Sequence, residues 1–202
     1  VTTQRDYLAG ITSTDITRRF LLPEDIVKAH DEGIIHFHDA DYFAQNALHN
    51  CDLINLEDML QNGTIVNGVM IEKPHKFLTA MTIATQIITA VTSSQYGGAT
   101  VTMTHLAPFV RDSYKYYLEK YKARGFSNQT AEKYAKEDLA KEVKDGVQTF
   151  QYQINSMTTT NGQSPFVSVC FYLGETKEYK EELAMIIEEF LNQRIQGMKN
   201  EK

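Results

Sequence analysis

Cysteine is scarce in this sequence: Cys51 and Cys170 are the only two among 202 residues. Two are too few for a disulfide scaffold, and their spacing matches no zinc-binding motif. A reducing, cytoplasmic compartment is the simplest expectation. The thiols are then either inert in the core or, in at least one case, engaged in redox chemistry. No apolar run approaches the roughly 18 residues needed to span a membrane, and no basic-then-apolar leader opens the chain. Basic residues are in deficit. Twenty Lys and Arg against 26 Asp and Glu give a net charge of −6, which argues against binding nucleic-acid backbone. Internal repeats, low-complexity linkers, a Walker A loop and a dinucleotide fingerprint are all missing. What remains is an ordinary globular composition, 42% hydrophobic and 23% charged. It suffices for one domain with a substantial core, or for one piece of a larger domain. A first residue that is Val1 and not Met points to the piece.

Helix and turn signals divide the chain. Residues 3–20 read as a helix with a loose start. Residues 22–30 read as a short helix with Pro23, Glu24 and Asp25 in its first turn and Gly33 as its stop. Residues 34–38 are the first strand candidate. Residues 55–60 form another short helix, capped by Asn55 and closed near Gly63; residues 61–75 read as an ordered loop. Three long helices follow. Residues 77–94 are apolar on several faces and predict burial on most sides. Residues 106–124 are amphipathic, with Tyr114, Tyr116, Tyr117 and Tyr121 read as a packing seam. Residues 129–158 follow a cap at Ser127 or Asn128, and the charges of 132–145 read as a solvated face. Residues 166–173 are the strongest strand candidate, apolar enough to predict burial on both faces of a parallel or barrel sheet. A last helix covers 178–196. The expected class is α/β, predominantly helical. Two or so strands cannot close a sheet, so missing strands or a partner are expected to complete it.

The densest chemistry lies in His36-Phe37-His38-Asp39-Ala40-Asp41-Tyr42, followed by Leu48-His49-Asn50-Cys51. On a strand, His36 and His38 would share one face. A metal there needs further ligands on later strands, and the later histidines, His49, His75 and His105, end no clear strand. Hydrogen-bonded imidazoles are therefore expected, with no metal site. Asp39 and Asp41 are either an acid/base pair or turn caps, and capping is the expectation. Gln95-Tyr96-Gly97-Gly98 and Asn161-Gly162-Gln163-Ser164-Pro165 combine amide side chains with glycine, which lets backbone N–H groups approach a nucleotide.

Five segments in order resemble one family, the anaerobic, class III ribonucleoside-triphosphate reductases. They are Ile35-His36-Phe37-His38-Asp39-Ala40-Asp41-Tyr42, His49-Asn50-Cys51-Asp52-Leu53-Ile54, Ala84-Thr85-Gln86-Ile87-Ile88, Ser93-Ser94-Gln95-Tyr96-Gly97-Gly98 and Thr160-Asn161-Gly162-Gln163-Ser164-Pro165-Phe166-Val167. The resemblance implies part of a ten-stranded α/β barrel of the glycyl-radical type with a dimer-forming helical bundle. It implies a parent that reduces ribonucleoside triphosphates, with a glycyl radical made by a separate radical-SAM activating enzyme, formate as reductant, a C-terminal zinc site and ATP or deoxynucleoside triphosphates (dNTPs) as effectors.

Residue by residue, the resemblance makes Cys51 the hydrogen-donating thiol. It puts His36 or His38 near it, His36 being favoured, and Asn50, Ser93, Ser94, Asn161 and Gln163 against substrate. Glu72 and Gln86 carry over to the effector site at the dimer interface, with Lys73, Lys76 and Lys120 as phosphate contacts. The implied layout is entry helices at 1–33, first strand and site loop at 34–75, dimer and effector helices at 76–158, and strand and helix at 159–202. Departures accompany it. The sequence holds no Arg-x-x-Gly-Tyr motif and no four-cysteine cluster. The thiyl-forming cysteine is expected beyond Lys202, and Cys170 reads as core packing. The isolated chain is therefore expected to be inactive. The alternatives are another glycyl-radical enzyme of the same barrel, a module that only binds effector and dimerises, and a metal hydrolase on His36 and His38.

Overall fold

The computed structural model describes residues 4–44, 51–94, 98–159 and 164–197. Helix α1 (Gln4–Ile16) runs into a π-helical turn (Thr17–Leu21), then α2 (Glu24–Asp31) and the single turn α3 (Ala40–Phe43). Strand β1 (Asp52–Leu53), α4 (Leu56–Gln61) and a hairpin of β2 (Thr64–Val66) and β3 (Val69–Ile71) lead to α5 (Phe77–Ser94). Strand β4 (Ala99–Thr102) and a 3-10 turn (Met103–Leu106) enter α6 (Ala107–Ala123). Helix α7 (Asn128–Ser156), β5 (Val167–Cys170) and α8 (Lys180–Gln196) complete the order. The chain is mostly helical around a three-stranded parallel sheet ordered β1-β4-β5. Among the described residues no helix is long and apolar enough to cross a membrane.

Helices α5 and α7 organise the core. The Phe77 ring lies against Gly146, where an added Cβ would come within 2.7 Å of the ring. The Leu78 N–H donates to Glu142 Oε1 at 3.0 Å, the Thr85 hydroxyl to Gln153 Oε1, and the Thr89 hydroxyl to Met157 Sδ at 3.7 Å. The partners advance together along both helices, so α5 and α7 run parallel, and each then feeds a strand of the sheet. Helix α6 returns between them. Its Ser113 hydroxyl accepts the Phe77 N–H at 2.8 Å, so the first turn of α5 is capped by α6 and α7, not by its own sequence. Arg111 of α6 reaches Glu182 of α8 at 2.7 Å and ties the last helix to the bundle. Phe77, Met81, Ile88, Val101, Phe109 and Ile186 are fully buried between these elements.

Several expectations hold: Asn55 caps α4 by accepting the Asp58 N–H, Ser127 caps α7, and α5 spans the predicted residues. Others fail for local reasons. Residues 34–38 are not a strand. Gly33 turns left-handed at φ +73°, and the amides of Ile34 and Ile35 close the end of α2 on the Ala29 carbonyl. A strand would need those amides. Residues 61–75 are not simply a loop. Asn67 and Gly68 both take positive φ, 52° and 78°, and Asn-Gly is a strong signal for the tight hairpin that forms there. Strand β4 escapes sequence reading because four residues between a glycine turn and a helix carry little periodicity. Strand β5 is parallel, as expected, but it is the sheet's edge in this chain. Its residues alternate between half-buried and exposed, and Phe166 is 74% exposed. Cys170 is exposed, not core packing. Most charges of α7 face solvent; Asp138 is half-buried against α6, and Glu142 is 4% exposed.

At the carboxyl ends of β4 and β5, Glu175 accepts the hydroxyls of Thr102, at 2.7 Å, and Thr104. Those two bonds, then the nearby His105, hold its carboxyl below the ordinary range. Burial lowers His105 against the opposing pull of Glu57 and Glu175, and its Nδ1 is buried without a hydrogen-bond partner.

Gly146→Ala should destabilise by about 1–3 kcal/mol in denaturant unfolding, because the clash with Phe77 outweighs the better helix propensity of alanine. Among the described residues, two groups that titrate below neutrality, His105 and Glu175, are both lowered, so at these groups the unfolded chain binds the extra protons on acidification. Stability should fall as pH drops below the ordinary histidine value of 6.5, and again through the carboxylate range. His105→Gln should flatten the first limb of a stability-versus-pH curve and leave the second.

Candidate functional site

The register of the sheet assembles a site at its amino edge. Asp52 pairs with Ala99 and Ala99 with Val167. The Asp52 N–H donates to the Gly98 carbonyl at 3.1 Å, and the Ala99 N–H to the Phe166 carbonyl at 2.9 Å. Cys51, Gly98 and Phe166 therefore stand in one row, each immediately before its strand. Gly98 has a steric reason to be glycine: a Cβ there would approach Phe166 Cδ1 to 2.7 Å. Helix α5 delivers Ser93 and Ser94 to this edge at its C-terminal end. The Ser93 hydroxyl donates back to the Thr89 carbonyl at 2.7 Å. From the end of α7 the chain reaches the same edge at Ser164, whose hydroxyl donates to the Asn155 carbonyl at 3.4 Å.

Cys51 is a free, exposed thiol. It can give up a proton, a hydrogen atom or an electron to a group placed over the row. Three segments far apart in sequence are thereby adjacent. Of the predicted site residues in these turns, Asn50, Asn161 and Gln163 lie outside the described residues, as do His49, Gln95, Tyr96, Gly97 and Gly162.

The two histidines are placed differently from the expectation. They are not side by side on a strand; they belong to the irregular segment that follows α2. The His36 ring packs at 5.4 Å from His30 and edge-on at 5.7 Å from His38, and His30 Nδ1 accepts the Phe37 N–H at 3.1 Å. His38 Nδ1 pairs with the nearly buried Asp39 carboxylate. Asp39 holds the N-cap position of α3 in the left-handed region, φ 60°, without capping through its side chain. Capping is the right place but the wrong chemistry: its carboxylate answers His38. This segment is fastened to α1 and the π-helical turn after it, where Ser13 and Thr17 donate to the Ala40 carbonyl at 3.4 and 3.0 Å. Among the described residues, no three His, Cys, Asp or Glu side chains are arranged to hold a metal ion.

The predicted effector residues divide into two sets. Glu72, Lys73 and Gln86 are exposed. Lys76 and Lys120 are engaged, and they meet on one tyrosine. The Lys76 ammonium donates to Tyr117 Oη at 3.0 Å and lies 4.7 Å from that ring's centre and 4.9 Å from Tyr116. Lys120 lies 5.2 Å from the Tyr117 and Tyr121 ring centres and 3.4 Å from Asp138. Cation–π contacts of this kind hold a lysine while leaving its head partly wet. Sequence reasoning missed Glu142 and Tyr117 as parts of this cluster. A signal for Glu142 does exist in the sequence: a carboxylate at position 142 interrupts the apolar stripe of Leu139, Val143, Gly146 and Val147.

The exposure of both cysteines makes a direct prediction. Under native conditions a thiol reagent should titrate two groups in this 202-residue chain, Cys51 and Cys170. One group only would mean that one of the two is sheltered.

A family model described as anaerobic ribonucleoside-triphosphate reductase matches residues 1–202. The anaerobic ribonucleoside-triphosphate reductase of Escherichia coli (strain K12) is 40% identical over 205 residues, covering 100% of this chain and 28% of that protein. The enzyme of the same name from Enterobacteria phage T4 is 37% identical over 198 residues, covering 97% of this chain and 32% of its own length. The chain thus spans less than a third of these relatives. Among solved structures, the anaerobic ribonucleotide reductase from Thermotoga maritima, in complex with dATP and CTP, is similar in fold. Its TM-score is 0.60 at 14% identity, covering 92% of this chain and 32% of that one. Matched along its whole length by the family model, the chain belongs to the anaerobic ribonucleoside-triphosphate reductase family.

Proposed function

We propose that the parent of this chain converts ribonucleoside triphosphates to 2′-deoxyribonucleoside triphosphates, and that this chain supplies the first part of its catalytic barrel. The observation that carries the reading is the row of Cys51, Gly98 and Phe166, fixed by the parallel register. It sets a lone thiol in line with Gly98 and Phe166, where the two segments whose glycines and amides suit a nucleotide join the sheet. An open three-stranded parallel sheet with Phe166 exposed at its edge is what a partial barrel presents, and ten strands in all is the closure that the family resemblance implies. The faces of α5 and α6 that carry Gln86 and Lys120, together with Glu72, Lys73 and Lys76 just before α5, are assigned to a homodimer contact and a dNTP effector.

In this reading Cys51 donates a hydrogen atom to the substrate radical. One S–H bond breaks and one C–H bond forms, leaving a thiyl radical; formate then gives its hydrogen atom to the sulfur and its remaining electron to the oxidised substrate, and leaves as carbon dioxide. A fixed thiol close to the ribose makes that transfer efficient. It also has to be sheltered from oxidants, and the exposed position of Cys51 in this chain assigns the shelter to the rest of the parent. His36 and His38 shape the approach to the pocket. A glycyl radical elsewhere in the parent, installed by a radical-SAM activating enzyme, supplies the hydrogen-abstracting power. The implied zinc site belongs to a C-terminal region of the parent. Neither nucleic acid nor membrane is a partner in this reading.

The test uses the full-length parent with its activating enzyme and formate. Cys51→Ser should lower nucleotide reduction by about a thousandfold or more, in line with losing a reacting group, while the glycyl radical signal in electron paramagnetic resonance stays. The 202-residue chain alone should give no product in the same assay. Substantial turnover by Cys51→Ser would sink the assignment. A second reading, a module that binds effector and dimerises, is favoured by the paired lysines on Tyr117 and is compatible with the first.

A further inference from the structure

Glu142 is buried in the core with its charge only partly answered. Its Oε1 accepts the Leu78 N–H at 3.0 Å, in the first turn of α5. Its Oε2 is buried without a hydrogen-bond partner. The Lys76 ammonium stands 3.9 Å from Oε2, close enough to offset the charge and too far for a hydrogen bond. A buried carboxylate satisfied on one oxygen depends heavily on such a counter-ion. Lys76 is not committed to Glu142 alone. Its head is also held by Tyr117 and Tyr116, and 34% of its side chain is exposed. Burial and then the Glu142 charge push the Tyr117 hydroxyl well above its ordinary value, so it stays neutral beside the lysine.

The position of Glu142 gives this pairing reach. It joins α7 to the first turn of α5, one helical turn from the Phe77–Gly146 contact. Helix α5 has 18 residues, about 27 Å at the usual helical rise, and its far end carries Ser93 and Ser94 to the catalytic edge. Helix α7 leads to the same edge on the neighbouring strand.

We propose that Glu142 is a positioning residue that couples effector occupancy to the catalytic edge by competing with effector phosphate for the ammonium of Lys76. When a polyphosphate draws Lys76 outward, the Glu142 charge is left uncompensated in the core. The contact between α7 and the first turn of α5 readjusts, and the two parallel helices pass that change to the turns at Gly98 and Phe166. A ligand shifts such an equilibrium only through different affinities for the two arrangements, and the shared lysine supplies the difference. This rests on the effector reading of Lys76 given above.

The experiment compares Glu142→Gln and Lys76→Met in the full-length protein. Calorimetry measures the affinity for each deoxynucleoside triphosphate, and turnover measures substrate preference with and without it. The glutamine amide would keep an oxygen for the Leu78 N–H and remove only the charge. Glu142→Gln should bind effector about threefold to fivefold more tightly, the scale of a partly exposed ion pair. The change of substrate preference that effector induces should shrink by a similar factor. Unchanged affinity and preference in Glu142→Gln, with weaker binding in Lys76→Met, overturns the coupling and leaves the effector site standing. Unchanged affinity in Lys76→Met overturns the effector reading and the coupling with it. If Glu142→Gln does not fold, Glu142→Asp keeps a carboxylate but draws its charge back from the same lysine. It should also tighten effector binding, and no change there overturns the proposal.

Discussion

The close approach of α5 and α7 at Phe77 and Gly146 is the constraint on which the rest of the molecule depends. A bare backbone at position 146 lets an aromatic ring lie directly on α7, and burial of that ring contributes about 2–3 kcal/mol. The same contact sets the two helices parallel and in register, from Leu78 with Glu142 to Thr89 with Met157. Parallel helices that both precede strands deliver those strands running the same way, and β4 and β5 pair as parallel neighbours. With β1 added on the other side of β4, the amino ends of three strands line up and the site row exists. The row is a consequence of helix packing more than of any local preference of the residues in it.

That dependence gives the molecule a polarity. One end of the α5–α7 pair holds the buried carboxylate, the shared lysine and Tyr117. The other end opens onto Cys51, Gly98 and Phe166. Small side chains keep the connection stiff between them: Ala80 and Ala84 are fully buried along α5, and the hydroxyls of Thr85, Thr89 and Thr92 are turned back onto backbone carbonyls. Polar groups inside a helix bundle are tolerated when bonded in this way. Glu142 departs from that rule on one oxygen, which leaves the Lys76 ammonium, 3.9 Å away, as its counter-ion. The carboxyl edge of the sheet is different in kind: Glu175 takes up the hydroxyls of Thr102 and Thr104 and closes that end with local bonds.

Much of the helical framework was legible in the sequence. Asn55 and Ser127 announce helix starts, because their side chains can accept the orphan amides of a first turn, and the apolar residues of 77–94 announce a buried helix. The strands were less legible. Ile34 and Ile35 look like a strand by composition, yet their amides are consumed in closing α2. Residues 99–102 look like nothing in particular, yet they form the centre of the sheet, because a strand flanked by two others needs only backbone groups and small buried side chains. For the site, five ordered segments identified the family and singled out Cys51. They did not tell which of them would meet. The histidine run, the most conspicuous of the five, turns toward His30 and Asp39, with α3 fastened to α1.

The sequence by itself determined the family, most of the helix positions and the candidate thiol Cys51, because motifs, caps and periodicity are local properties of the chain. Only the tertiary structure decided that Cys51, Gly98 and Phe166 share a row, that Cys170 is exposed on an edge strand, and that Glu142 is buried with one oxygen unbonded. Each of those depends on which surfaces face one another after α5 and α7 have packed. That packing is a long-range contact between residues 77 and 146, which no local pattern encodes.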